Sequence, residues 1–186
     1  MGRLIVEQIV SVDGYAAEPD GGIDFMQAAD TANPNDEDQL AFLQYVDAIL
    51  LGATTYRMFA GYWPTADPDV EVVAEPINRL PKFVVSNTLA TAPWGDGSID
   101  VLRGDGVDSA WALKQRFEAI VVWGSLTLAD ALLEAGLVDE LRLRVVPVLI
   151  GAGRSFTPAT LGQRRLELER VVSHPSGHVG MTYRLG

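Results

Sequence analysis

Two short apolar runs that break at a glycine and continue as helical sequence constrain this chain more than any other feature. Ala48-Ile-Leu-Leu51 leads into Gly52-Ala-Thr-Thr-Tyr-Arg-Met-Phe59, and Ala119-Ile-Val-Val-Trp123 leads into Gly124-Ser-Leu-Thr-Leu-Ala-Asp-Ala-Leu-Leu133. Short apolar, β-branched runs bounded by turn formers read as buried strands. Glycine then frees the backbone to bend into a helix whose first amides have no intrahelical partners. Thr54 or Thr55 is placed to cap the first of these helices, and the second stops at Ala135-Gly136, as a glycine C-cap requires. Strand followed by helix, repeated, predicts crossover units and a parallel sheet.

The rest of the chain fits the same plan. Arg3 to Val12 is an early buried strand closed by Asp13-Gly14. Gly14 to Asn33 carries Pro19, Asp20, Gly21 and Gly22 and reads as a long irregular loop, a candidate lid. From Asn35 the spacing of Leu40, Leu43 and Val46 predicts a helix, with carboxylates in its first turn where the dipole favours them. Lys82 to Ser86 and, more weakly, Ile99 to Leu102 are strands; Ser109 to Phe117 is a helix that packs through Trp111, Leu113 and Phe117. Glu140 to Val146 alternates Leu141, Leu143 and Val145 with Arg142 and Arg144, a strand with one face toward solvent or a partner. Arg165 to Val172 and Gly180 to Leu185 form a closing hairpin. The expectation is one α/β domain over residues 1–186, three layers deep, with a mixed and mostly parallel central sheet and antiparallel C-terminal strands.

Charge removes some partners. A formal net charge of -11 argues against nucleic acid, whose binding depends on Lys and Arg displacing counterions from phosphates. It does not argue against a dinucleotide, because helix N-termini and hydroxyls hold phosphates without a basic patch. No cysteine is present, which removes thiolate metal sites and Cys nucleophiles and suits a reducing compartment. With neither a secretory leader pattern nor a long apolar span, the expected location is cytoplasmic and off the membrane. The chain has no G-x-G-x-x-G and no P-loop, so common Rossmann and nucleotide-hydrolase readings lose support. His174 and His178 are separated by Pro175 and Gly177, which break any helix there, so a hairpin loop is expected and no metal. Ser125 lacks a nucleophile elbow.

Six segments carry a family resemblance: Ser11-Val-Asp-Gly-Tyr-Ala16, Leu51-Gly-Ala-Thr-Thr-Tyr-Arg-Met-Phe59, Val84-Val-Ser-Asn87, Val121-Val-Trp-Gly-Ser125, Leu133-Glu-Ala-Gly-Leu-Val-Asp-Glu140 and Val146-Pro-Val-Leu-Ile-Gly151. Together they resemble the reductase domain of bacterial riboflavin biosynthesis and its stand-alone dihydrofolate-reductase-like relatives. The resemblance implies a dihydrofolate-reductase-like fold, a homodimer and hydride transfer from NADPH to a small, pteridine- or pyrimidine-like substrate. It implies that Gly52, Thr54 and Thr55 form the turn near the 2′-phosphate, that Ser86 and Asn87 lie beside the adenosine, and that Gly124, Ser125, Leu126 and Thr127 form the pyrophosphate turn. Val12, Asp13 and Gly14 would approach the nicotinamide or substrate.

Ala53 stands where relatives often carry a basic residue, leaving Arg57 or Arg103 to supply charge. Tyr15 stands where the riboflavin enzymes tend to carry lysine, which favours the stand-alone relatives. Asp13 and Asp36 are the candidate acids; Asp36 resembles the catalytic carboxylate of dihydrofolate reductases in its separation from Gly52, although an aspartate at a helix start more commonly serves the helix dipole and cap. Tyr15 and Trp63 are candidate substrate contacts, with core packing the alternative for Trp63. Competing functional readings are a non-catalytic NADPH-binding sensor, a 5-amino-6-(5-phosphoribosylamino)uracil reductase and a dihydrofolate reductase.

Overall fold

The computed structural model describes residues 1–27 and 36–186, with the Asp36 side chain outside the described set. The strands are β1 (Arg3–Ser11), β2 (Tyr15–Ala17), β3 (Ala48–Gly52), β4 (Lys82–Val85), β5 (Pro93–Trp94), β6 (Gly97–Ser98), β7 (Asp100–Leu102), β8 (Ala119–Trp123), β9 (Glu140–Val146), β10 (Arg154–Ser155), β11 (Leu166–Ser173) and β12 (Val179–Leu185). The helices are α1 (Asp36–Leu43), α2 (Ala53–Ala60), α3 (Ala74–Arg79), α4 (Gly106–Lys114) and α5 (Leu126–Glu134).

Eight strands form the main sheet in the order β11-β12-β9-β1-β8-β3-β4-β7. From β9 to β7 every neighbouring pair is parallel, whereas β12 runs antiparallel to both β9 and β11. The fold is therefore α/β with a mixed, mostly parallel central sheet and antiparallel C-terminal strands, as the strand and helix patterns predict. Because side chains alternate along each strand, the sheet has two apolar faces. Leu4, Val6, Leu50 and Val122 pack with Leu113 of α4 and Leu132 of α5. Ile5, Ile49, Leu51 and Val121 pack with Phe42 of α1, Tyr56 of α2 and Ile77 of α3.

Local departures from the sequence reading have physical causes. Helix α1 ends at Leu43, before Val46, because the Tyr45 and Val46 amides tighten onto the carbonyls of Phe42 and Leu43 as the chain turns toward β3. Helix α4 starts at Gly106 rather than Ser109, since the Asp105 carboxylate accepts the Val107 and Asp108 amides. Trp111 stays 54% exposed while Leu113 fills the core. The loop after Gly14 is not wholly irregular: β2 pairs with β10, and Asp24–Gln27 is a 3-10 turn. Most of the alternation in β9 is used within the chain, Leu141 and Leu143 joining the core and Arg142 pairing with Glu7. It therefore supplies no argument for a partner subunit.

Lys82 fixes α3 to the sheet. Its buried Nζ donates to the carbonyls of Ile77 (2.7 Å), Asn78 (2.8 Å) and Leu80 (2.6 Å), oxygens the helix end leaves without partners. Burial pulls this amine down to about 8. Replacing Lys82 by Met at pH 6, where the amine is charged, should cost about 2 kcal/mol by orphaning these acceptors. Urea unfolding of the two proteins measures it.

Candidate functional site

β3 and β8 are adjacent and parallel, so both glycine bends emerge at one edge of the sheet. They are joined there. The Gly52 N–H donates to Ser125 Oγ at 2.8 Å, and the Ser125 N–H donates to Thr55 Oγ1 at 2.8 Å. Gly124 and Ser125 both take left-handed backbone, with φ of 51° and 48°. A Cβ on Gly124 would stand 3.2 Å from Thr55 Oγ1, so the residue is required both for its φ and for this close approach. Gln8 Nε2 donates to the Gly124 carbonyl at 2.6 Å and holds the bend to β1.

Neither Thr54 nor Thr55 caps α2; Gly52 is its N-cap, and the Thr55 hydroxyl is used by Ser125 instead. The Gly52 and Ser125 amides serve the joint itself. What remains for a ligand are the first-turn amides of α2 and α5. Both helices lack a side-chain cap and lack an acidic residue in the first turn. Helix α4, by contrast, has the Asp105 cap and Asp108 in its first turn. Two uncapped, acid-free helix starts side by side form a locus suited to anionic phosphate groups.

Both starts open onto a cavity of about 1300 Å³, larger than the ~300–1,000 Å³ of ordinary small-ligand sites. Phe59, Trp63 and Trp123 contribute aromatic wall. Phe59 and Trp63 meet edge to face at 6.0 Å, and Phe59 lies 5.9 Å from Trp123. Tyr62 also lines the cavity; its hydroxyl donates to Glu71, which pushes the phenol upward.

The polar centre of the wall is Glu7 on β1, only 3% exposed. Its Oε1 accepts from Gln39 Nε2 (2.9 Å) and Trp123 Nε1 (2.9 Å), and its Oε2 accepts from Arg142 Nε (2.8 Å). Arg142 in turn covers the Phe42 ring at 3.8 Å. A charged group this deep is retained only when paired and hydrogen-bonded. No motif in the sequence singles out Glu7 and Gln8; their one signal is a polar pair inside an otherwise apolar strand.

Of the residues singled out in the sequence, Gly52, Thr54, Thr55, Gly124, Ser125, Leu126, Thr127 and Trp63 line the cavity. Ser86 and Asn87 lie off its walls, at the end of β4, one strand beyond Gly52. There Ser86 Oγ accepts the Thr88 and Leu89 amides, and Asn87 brackets the Gly104 backbone. Arg103 donates to the carbonyls of Ser86 and Leu89, while Arg57 reaches back to the Ala53 carbonyl from an exposed position.

Val12, Asp13, Gly14 and Tyr15 also fall outside the cavity wall, although Ala16 and Ala17 line it. Asp13 accepts the Ile150 and Gly151 amides at 3.3 and 2.7 Å. A hydrogen bond from Ser11, together with these amides, holds its carboxyl below the ordinary value. Tyr15 pairs with Ser155 in the β2–β10 ribbon. The Asp36 side chain lies outside the described residues.

Comparison with known proteins agrees with this fold. Protein YyaP of Bacillus subtilis (strain 168) is 25% identical over 184 residues, covering 97% of this chain and 94% of the relative. A structure from Shewanella sp. PV-4, of a protein named for riboflavin biosynthesis, superposes with a TM-score of 0.79 at 22% identity and covers 99% of each chain. Dihydrofolate reductase from Enterococcus faecalis, complexed with NADP(H) and RAB-propyl, superposes with a TM-score of 0.67 at 15% identity, covering 100% of this chain and 97% of that one. These likenesses establish the dihydrofolate-reductase-like fold. Residues 3–179 match the RibD C-terminal domain, and the chain belongs to that family.

Proposed function

We propose that the protein is an NADPH-dependent reductase of small molecules. The observation that carries this reading is the meeting of two uncapped, acid-free helix starts in one large cavity that also has an aromatic wall. The Enterococcus faecalis reductase of the same fold is complexed with NADP(H), which supports the choice of nucleotide.

The amides of the α2 and α5 first turns, with the Thr54 and Thr127 hydroxyls, would receive the phosphates. Gly52 and Gly124 keep the bends free of side chains so that backbone can approach. Arg103 is held by two backbone carbonyls, whereas the exposed Arg57 makes a single long contact of 3.5 Å to the Ala53 carbonyl and is the cation that α2 would offer to a 2′-phosphate. When bound, the dinucleotide supplies hydride to an electrophilic carbon. The aromatic wall orients a planar acceptor, and Glu7, held by Gln39, Trp123 and Arg142, fixes the polar edge of that wall.

Titration calorimetry of the pure protein with NADPH and with NADH tests the reading. One NADPH per chain with a dissociation constant of about 1–10 μM is expected, about −7 to −8 kcal/mol. Absence of heat with both nucleotides would overturn it. Steady-state NADPH oxidation with pterins, flavin precursors and carbonyl compounds then separates a reductase from a binder.

A further inference from the structure

Arg144 is a cation that the described residues leave without an acid. It lies on β9 opposite Ile9 of β1 and Gly180 of β12, and it lines the large cavity. Its Nε is buried and has no hydrogen-bond acceptor. Of the acids on the cavity wall, Glu7 pairs with Arg142, Glu71 accepts from the Tyr62 hydroxyl, and Glu18 makes no ion pair with Arg144 among the described residues; Asp38, which shares a neighbouring wall with Arg144, pairs with Arg170. Arg154, another cation of the cavity wall, is neutralised by Asp130. His178, also on the wall, is held below its ordinary value by burial and then by the charge of Arg144.

A buried guanidinium N–H without an acceptor is costly, and on a half-buried arginine without a counter-charge it calls for a specific explanation. Its fork geometry matches a planar oxyanion through parallel N–H donors. Arg142, two positions earlier on the same face, shows the same side chain already satisfied by the protein.

We propose that Arg144 is the substrate-recognition residue of this cavity and that the acceptor molecule carries an oxyanion, a carboxylate or a phosphate ester, which the guanidinium receives. This deepens the reductase reading and rests on it. Glycine at position 180 leaves the neighbouring strand without a side chain beside Arg144, and the aromatic wall takes the apolar body of the same molecule.

The test uses benzoate, phenyl phosphate and the neutral isostere benzamide as probes, titrated into the NADPH-saturated protein. Benzoate or phenyl phosphate should bind at least about tenfold more tightly than benzamide, and Arg144→Gln should remove that preference. Whichever oxyanion binds better identifies the group carried by the substrate. Arg144→Met should raise the melting temperature, because it deletes a charge without a partner, and NADPH affinity should be unchanged in both variants. Equal binding of benzoate, phenyl phosphate and benzamide to the wild type would overturn the proposal. So would an oxyanion preference that survives Arg144→Gln, or a fall in melting temperature with Arg144→Met. Failure of NADPH to bind, with an Arg144-dependent benzoate response retained, would overturn the cofactor reading while supporting the oxyanion site.

Discussion

Thr127→Asp is expected to weaken NADPH binding about a hundredfold while leaving the fold as stable as before or slightly more so. Thr127 is an exposed residue in the first turn of α5 and faces the cavity. A carboxylate there interacts favourably with the helix dipole, by about 0.3–1 kcal/mol. Toward a bound pyrophosphate the same carboxylate is a like charge a few ångströms away in a partly desolvated site, which costs about 2.7 kcal/mol, or roughly a hundredfold. Stability and affinity therefore move in opposite directions, which general damage to the fold would not produce. Thr127→Asn is the neutral control, and Thr54→Asp repeats the experiment on α2. Calorimetric titration beside thermal melting gives both quantities. Unchanged NADPH affinity in both Asp variants would remove the helix starts from the binding site.

Arg142→Met is expected to be the most destabilising of the substitutions considered, at about 3–5 kcal/mol, because it strands the Glu7 carboxylate in the core. That is a large part of the ~5–15 kcal/mol by which a domain of this kind is stable. The Glu7→Gln, Arg142→Met double variant should recover at least half of the loss, since no unpaired charge is then buried. Denaturant unfolding of the wild type, the single variants and the double variant closes the cycle. A loss below about 1 kcal/mol in Arg142→Met would mean that Glu7 is solvated and that the pair is a surface one.

What could be read from sequence follows the range over which each determinant acts. The strands at Ala48 and Ala119 and the glycines after them are local signals, and they locate β3, β8 and the starts of α2 and α5 correctly. The joint between the bends is not local. Gly52 meets Ser125 across 73 positions and Ser125 meets Thr55 across 70, so a hydroxyl that reads as a cap is spent on another strand's turn. The role of Glu7 is hidden from its own neighbourhood for the same reason, its ion-pair partner Arg142 lying 135 positions away. Asp105 is a local signal of another kind: an aspartate before Gly106 marks a helix start three residues earlier than the apolar pattern alone. At Asp13 the resemblance pointed toward the cavity, while the Ile150 and Gly151 amides draw its side chain to the neighbouring loop.

Because the Ser125 hydroxyl and amide clasp both Gly52 and Thr55, the two bends behave as one braced unit. A dinucleotide arriving there meets donors already in place, so little conformational entropy is lost at that end of the cavity. Adjustment to the size of the acceptor falls instead to another part of the cavity wall, the β2–β10 ribbon, which is only a few residues wide. Relatives that keep the clasp and vary that ribbon would exchange substrates without rebuilding their grip on the nucleotide.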